Sequence, residues 1–163
     1  MTDGLRETVP AVRHEVVVAA SPERAFAMFT TGFGTWWPKT HTIMTVPVEE
    51  AVVEPRQGGR CYDRGVDGSI CEWGRVLEFS PPHRLVLAWQ INGQWRYEPD
   101  VEQASRVTVT FTQEDGGTRV SLVHDEFHRH GSGGGDVAAG VGSPNGWAGA
   151  LRLFTIATEG QVR

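Results

Sequence analysis

The chain has 163 residues, enough for one domain whose core folds without disulfide or metal staples. Hydrophobic residues make up 39% and charged residues 21%, the balance of a soluble globular protein. A net charge of −5 excludes an electrostatic footprint for nucleic acid or anionic membrane, and no run approaches the length of a membrane span.

"MTDGLRETVPAVRHE" at the amino terminus does not read as a signal peptide, so a cytoplasmic location is expected. "VRHEVVVAA" (12–20) is a valine-rich strand that stops at Ser21-Pro22-Glu23. Those three residues open a helix, with serine at the N-cap, proline at the first position and an acid in the first turn. Ala25, Phe26 and Phe29 follow at helical spacing. The segment breaks at Gly32 and Gly34, allows a second short helical turn through Trp36 and Trp37, and ends at Pro38.

Six further strands are expected at about 46–55, 58–64, 69–79, 84–92, 105–114 and 118–127, punctuated by Gly58-Gly59, Asp67-Gly68, Pro81-Pro82, the stretch around Gly93, and Asp115-Gly116-Gly117. "VTVTFT" (107–112) alternates cleanly, with Val107, Val109 and Phe111 on one face. A glycine-rich tract at 131–142 reads as a flexible loop. A second Ser-Pro start then opens a helix of about 145–160, with Trp147, Leu151 and Phe154 at i, i+4 and i+7 as its apolar stripe.

Cys61 and Cys71 flank the Asp67-Gly68 turn. Pairing Val66 with Ser69 puts Cys71 opposite Arg64, with the two thiols on opposite faces, so both cysteines are expected to be free. Hairpin-length connections imply an antiparallel meander whose apolar face the C-terminal helix covers. The expected fold is α+β: about seven strands wrapped around a long C-terminal helix, with two short helices after the first strand. It forms a single domain over 1–163, with its core at about 12–160.

"EPRQGGRCY" (54–62), "DGSICEWGRVLEFSPPHRLVLAW" (67–89), "TRVSLVHDEF" (118–127) and "GWAGALRLF" (146–154) together resemble the START-like superfamily (SRPBCC, helix-grip fold). Within it they are similar to the branch of the heat-shock protein 90 ATPase activator C-terminal domain. The resemblance implies a cavity between sheet and helix that relatives use for sterols, lipids, hormones and polyketides. Members of this branch share no catalytic set, so it assigns no catalytic residue and calls for no cofactor. Arginine supplies every basic residue except Lys39, a bias of GC-rich, bacterial coding sequence.

Each indole of the Trp36-Trp37 pair buries roughly 150–250 Å², about 4–6 kcal/mol at about 25 cal/mol/Å². Adjacent residues of a helical turn point about 100° apart. One indole is therefore expected on the sheet and the other at the cavity mouth, near Trp147. Pairing across Pro81-Pro82 places Ser80 opposite His83, and hence Trp89 opposite Gly74.

In the same register Glu72 shares a face with Gly74, Val76, Leu85, Leu87, Trp89 and Ile91. The other face carries Trp73, Leu77, Phe79, Val86 and Ala88 and would make Arg75 the inward polar group. Either Glu72 or Arg75 could orient a ligand or act as an acid–base group; a solvated or edge-paired charge is the reading the residue types favour. Phe111 and Leu151 complete the expected ligand contacts.

"HDEFHRH" (124–130) would align His124, Glu126, His128 and His130 at period two, which invites a metal. Exposed strand-end histidines explain it better, and no metal is assigned. Glu54 and Arg56 read as a structural ion pair, and the glycine tract as a flap near the cavity entrance rather than a phosphate loop.

The expected partner is a hydrophobic small molecule or lipid, with a homodimer possible and no nucleic acid. An enzyme of the cyclase, dehydratase or hydrolase type is the alternative. It needs two convergent acid–base groups, for which the sequence offers Glu72, Arg75, His124 and Tyr62. A protein-interaction domain is the third reading.

Overall fold

The alternating stretches of the sequence become one antiparallel sheet. The computed structural model describes residues 9–160, with strands β1 (Val12–Val18), β2 (Val48–Val53), β3 (Arg60–Gly65), β4 (Ile70–Ser80), β5 (Arg84–Trp89), β6 (Ser105–Glu114) and β7 (Gly117–Asp125). Residues 1–8, part of the stretch read above as carrying no signal peptide, and 161–163 lie outside it. The strand order is β1-β7-β6-β5-β4-β3-β2. Among the described residues, no helix is long and apolar enough to cross a membrane.

Among the described residues, three α-helices accompany the sheet: α1 (Pro22–Phe29), α2 (Gly134–Val141) and α3 (Gly149–Gly160). Ser21 caps α1 as its sequence implies, its side chain accepting the Arg24 N–H at 3.1 Å. α3 covers the sheet through Leu151 and Phe154, and Trp147 extends the same buried stripe. The core joins helix to sheet through aromatic rings. Phe29 lies with its centroid 5.2 Å from Trp36, 5.3 Å from Phe154 and 6.1 Å from Phe111. Such tilted and edge contacts add about 0.5–1.5 kcal/mol each beyond burial.

The α+β helix-grip architecture is the one expected, but four details differ. Residues 131–142 are not a loop: Phe127–Gly133 forms 3-10 turns and α2 follows, burying Val137 and Val141. The glycines there serve close backbone approach, since a Cβ on Gly93 would lie 2.6 Å from the Gly133 carbonyl oxygen. α3 begins at Gly149, because Pro144–Ala148 forms a wide turn in which Gly146 leaves helical geometry.

The third difference is register. Across the Asp67-Gly68 turn, Cys71 pairs with Asp63 and Cys61 with Gly74. Cys71 therefore falls on the face of Cys61 and Asp63, not on the opposite one; both cysteines are nevertheless free, two pairs apart along the strands. The fourth is that β4 bulges twice, at Trp73 and at Leu77, each lacking a partner in one ladder. Each extra residue flips the alternation, so the core takes Trp73, then Val76, then Phe79. Near the Pro81-Pro82 turn Ser80 pairs with Arg84 rather than His83, and the Leu77 bulge restores the Gly74–Trp89 pair.

Candidate functional site

A cleft of about 240 Å³ opens where the loop after α1, the end of β5, the β5–β6 loop and the turn before α3 meet. Its walls are mainly indole: Trp37, Trp89, Trp95 and Trp147, joined by His41, Thr42, Ile43, Ile91 and Val141.

Each wall has a local cause. α1 ends at Thr30, and the tight turn Phe33–Thr35 carries Trp37 into place through a Trp37 N–H to Phe33 carbonyl bond of 3.0 Å. Gly34 lets that turn lie on β2, for a Cβ there would sit 2.8 Å from the Ala51 carbonyl oxygen. The Trp37 ring stacks on Phe33 (centroids 4.8 Å) and lies 5.6 Å from Trp147. Pro38 then folds the chain back, accepting the His41 N–H at 3.0 Å, so His41 and Thr42 join the wall.

Trp95 occupies the tip of the β5–β6 loop with φ +60°, in the left-handed region. Asn92 holds it there, its Oδ1 accepting the N–H groups of Gln94 (2.9 Å) and Arg96 (3.1 Å). The ring packs over Gly140, where a Cβ would meet it at 2.5 Å. Ring–backbone contact thus joins the loop to α2.

Two buried polar groups back the cleft. His124 is fully buried behind Trp89 and Trp147, 5.4 and 6.2 Å away between ring centroids. Its Nδ1 accepts the Trp147 indole N–H at 3.0 Å, and its Nε2 bonds Ser105 Oγ at 2.8 Å. Burial, helped by neighbouring His130, pushes its pKa down to about 3.

Asp63, 3% exposed, accepts the Thr42 hydroxyl on Oδ2 at 2.7 Å. Burial raises its pKa, opposed by Thr42 and by the Trp73 indole. Among the described residues, neither Trp73 Nε1 nor Asp63 Oδ1 completes a hydrogen bond. Trp89 Nε1 is likewise buried without a partner. Burial also lowers the pKa of His41.

Of the residues singled out from sequence, Trp37, Trp89 and Trp147 line this cleft. Trp36 does not. It is buried against Phe29, Phe33 and Phe154, its indole N–H donating to the Met28 carbonyl at 2.7 Å. Phe111 and Leu151 belong to the core, Phe111 packing on Phe26 and Phe29.

Glu72 and Arg75 lie away from the cleft in a half-exposed network. There Glu72 meets Arg60 (3.7 Å), Arg75 (3.6 Å) and the Tyr97 hydroxyl (3.2 Å). The Trp73 bulge accounts for this: it turns the indole inward and leaves its charged neighbours outside.

β7 ends at Asp125, so the alternation needed for a histidine row beyond it is not formed; His128 is exposed, while His124 and His130 meet through Ser105. Glu54 and Arg56 do pair, at 3.2 Å. The sequence reading missed Trp95, His41, Thr42 and Asp63. Only Trp95 left a signal, a large aromatic in a turn-like stretch beside Asn92 and Gly93.

A family model described as "Activator of Hsp90 ATPase homolog 1-like protein" matches residues 19–153. Among solved structures, the anthrahydroquino-gamma-pyrone synthase Txn09 is 40% identical, covering 91% of this chain and 96% of its own, with a TM-score of 0.63. CalC from Micromonospora echinospora, a self-sacrificing resistance protein, is 31% identical over 94% of this chain and 96% of its own, with a TM-score of 0.68. The Aha1 dimer from Colwellia psychrerythraea, 16% identical over 92% and 96% with a TM-score of 0.62, shares the fold. No curated protein matches.

Proposed function

The chain belongs to the family of Activator of Hsp90 ATPase homolog 1-like proteins, a START-like fold, and from that premise we propose that it binds a flat, polycyclic aromatic molecule in the tryptophan-lined cleft. The observation that carries the proposal is the convergence of four indoles from four separate segments on one cleft with few polar groups. Indole faces stack on planar rings at low entropic cost, and the surrounding core holds three of the four in place. The 40% identity to a synthase named for a fused-ring product supports an aromatic ligand over a flexible lipid.

The test is titration with hydroxylated anthraquinones, fatty acids and sterols, following tryptophan emission and melting temperature. Binding predicts that the planar aromatics quench emission and raise the melting temperature while the lipids do neither. A panel with no effect on either readout overturns the proposal.

The same relative favours a second reading, a ring-closing enzyme in which His41 on the cleft wall is the acid–base group and Asp63 acts only through the Thr42 hydroxyl. Mass spectrometry of the bound compound after incubation separates the two. A binding module returns its ligand unchanged, and an enzyme returns an isomer or a dehydrated product.

A further inference from the structure

We propose that Thr42, held by Asp63, is an acceptor subsite for a hydroxyl group on the cleft's ligand, which makes the ligand a phenol or enol. The inference rests on the aromatic-binding reading above and specifies its chemistry.

A threonine hydroxyl has one proton and two lone pairs. The proton of Thr42 is committed to Asp63 Oδ2 at 2.7 Å, and one lone pair accepts the Met44 N–H at 3.1 Å. One lone pair remains, on a residue of the cleft wall. Because the hydroxyl proton is held, Thr42 can only accept from a ligand. Donation to a carboxylate also polarises the hydroxyl oxygen and strengthens it as an acceptor.

The best match is an acidic O–H donor, as phenols and enols carry; ethers and ketones offer only lone pairs and meet repulsion. Asp63 is a positioning residue here, since it acts through Thr42. Its burial opposite Cys71 in the β3–β4 ladder keeps water from competing for the same carboxylate.

Isothermal titration at about pH 8 uses three probes: 2-naphthol, 2-methoxynaphthalene and naphthalene. The expected result is that wild type binds 2-naphthol about tenfold tighter than either of the others, the worth of one hydrogen bond to a polarised acceptor. Thr42→Val erases the preference and Thr42→Ser restores it. Asp63→Asn weakens it, because a neutral amide oxygen polarises the Thr42 hydroxyl less than a carboxylate does.

Equal binding of all three probes overturns the hydroxyl subsite and leaves the aromatic cleft standing. A preference that survives in Thr42→Val also overturns it, by placing the hydroxyl elsewhere. Failure of every probe to bind removes the aromatic reading itself.

Discussion

The indole N–H of Trp147 donates to Nδ1 of His124 at 3.0 Å, tying the cleft wall to the last strand. An indole only donates, so Nδ1 is the bare nitrogen and Nε2 carries the proton. That proton goes to Ser105 Oγ at 2.8 Å, and the Ser105 hydroxyl donates in turn to Nε2 of His130 at 2.8 Å. One direction of donation therefore runs from the cleft into the protein, through residues 19 to 25 positions apart.

Trp147→Ala is expected to cost about 3–5 kcal/mol, the range for emptying a buried aromatic site. Trp147→Phe keeps most of the volume but strands His124 Nδ1 in the core, at about 1–3 kcal/mol. Urea unfolding measures both. A cost below about 0.5 kcal/mol for the phenylalanine variant would show that the hydrogen bond contributes nothing.

His124 makes the protein acid-sensitive. Its folded pKa of about 3 lies below the unfolded value near 6.5, so between them the unfolded chain holds a proton that the folded chain does not. Stability is complete above about pH 6.5 and falls as the pH drops toward 3, by roughly 1.4 kcal/mol per pH unit from this group. His130, also lowered by burial, acts in the same direction. His124→Gln keeps an acceptor for Trp147 without a titration, and its unfolding free energy between pH 7 and pH 5 is expected to fall less steeply. An unchanged slope would move the acid sensitivity elsewhere.

Two glycine substitutions separate scaffold from cleft. At Gly74 a Cβ would meet the Ala88 carbonyl oxygen at 2.5 Å, and a backbone cannot retreat, so Gly74→Ala is expected to cost about 1–3 kcal/mol or more. At Gly140 the obstacle is the outer edge of Trp95, a half-exposed ring able to swing away. Gly140→Ala is expected to change stability by less than about 1 kcal/mol while altering tryptophan emission and weakening aromatic binding. Equal thermal destabilisation of both variants, with binding intact in Gly140→Ala, would contradict the role given to Trp95.

The adjacent tryptophans divide in the same way. Trp36→Phe loses the bond to the Met28 carbonyl and is expected to lower stability by about 1–3 kcal/mol without changing ligand affinity. Trp37→Phe is expected to weaken aromatic binding several-fold and remove much of the ligand-induced emission change. A binding loss in Trp36→Phe alone would reverse the assignment.

That Trp36 and Trp37 have different surroundings was legible, but the expected helical turn through them is not formed and the partners differ. The tight turn is Phe33–Thr35, Trp36 packs on Phe29 and Phe154 of the helices rather than on the sheet, and Trp37, the cleft residue, is the one stacked on Trp73 of β4. The seven strands were legible from alternation and turn residues, and the Ser21 cap from chemistry local to three residues. Asp63 was not. Nothing in "CYDRG" distinguishes a buried carboxylate from an exposed one until Thr42, 21 positions earlier, supplies its hydroxyl.

Sequence by itself determined what depends on neighbours a few positions apart: the strands, the start of α1 at Ser21, the buried stripe of Trp147, Leu151 and Phe154, and with them the helix-grip fold. The tertiary structure decided what depends on counting residues across a ladder. The unpaired Trp73 and Leu77 each reverse the period-two pattern, moving Trp73 into the core and Glu72 and Arg75 onto a half-exposed face. The same holds for His124 and His130, which meet through Ser105 on another strand. A bulge changes local pairing by one residue at small energetic cost, yet it exchanges the faces of everything beyond it. Which residues face the cleft was therefore settled by packing across the sheet.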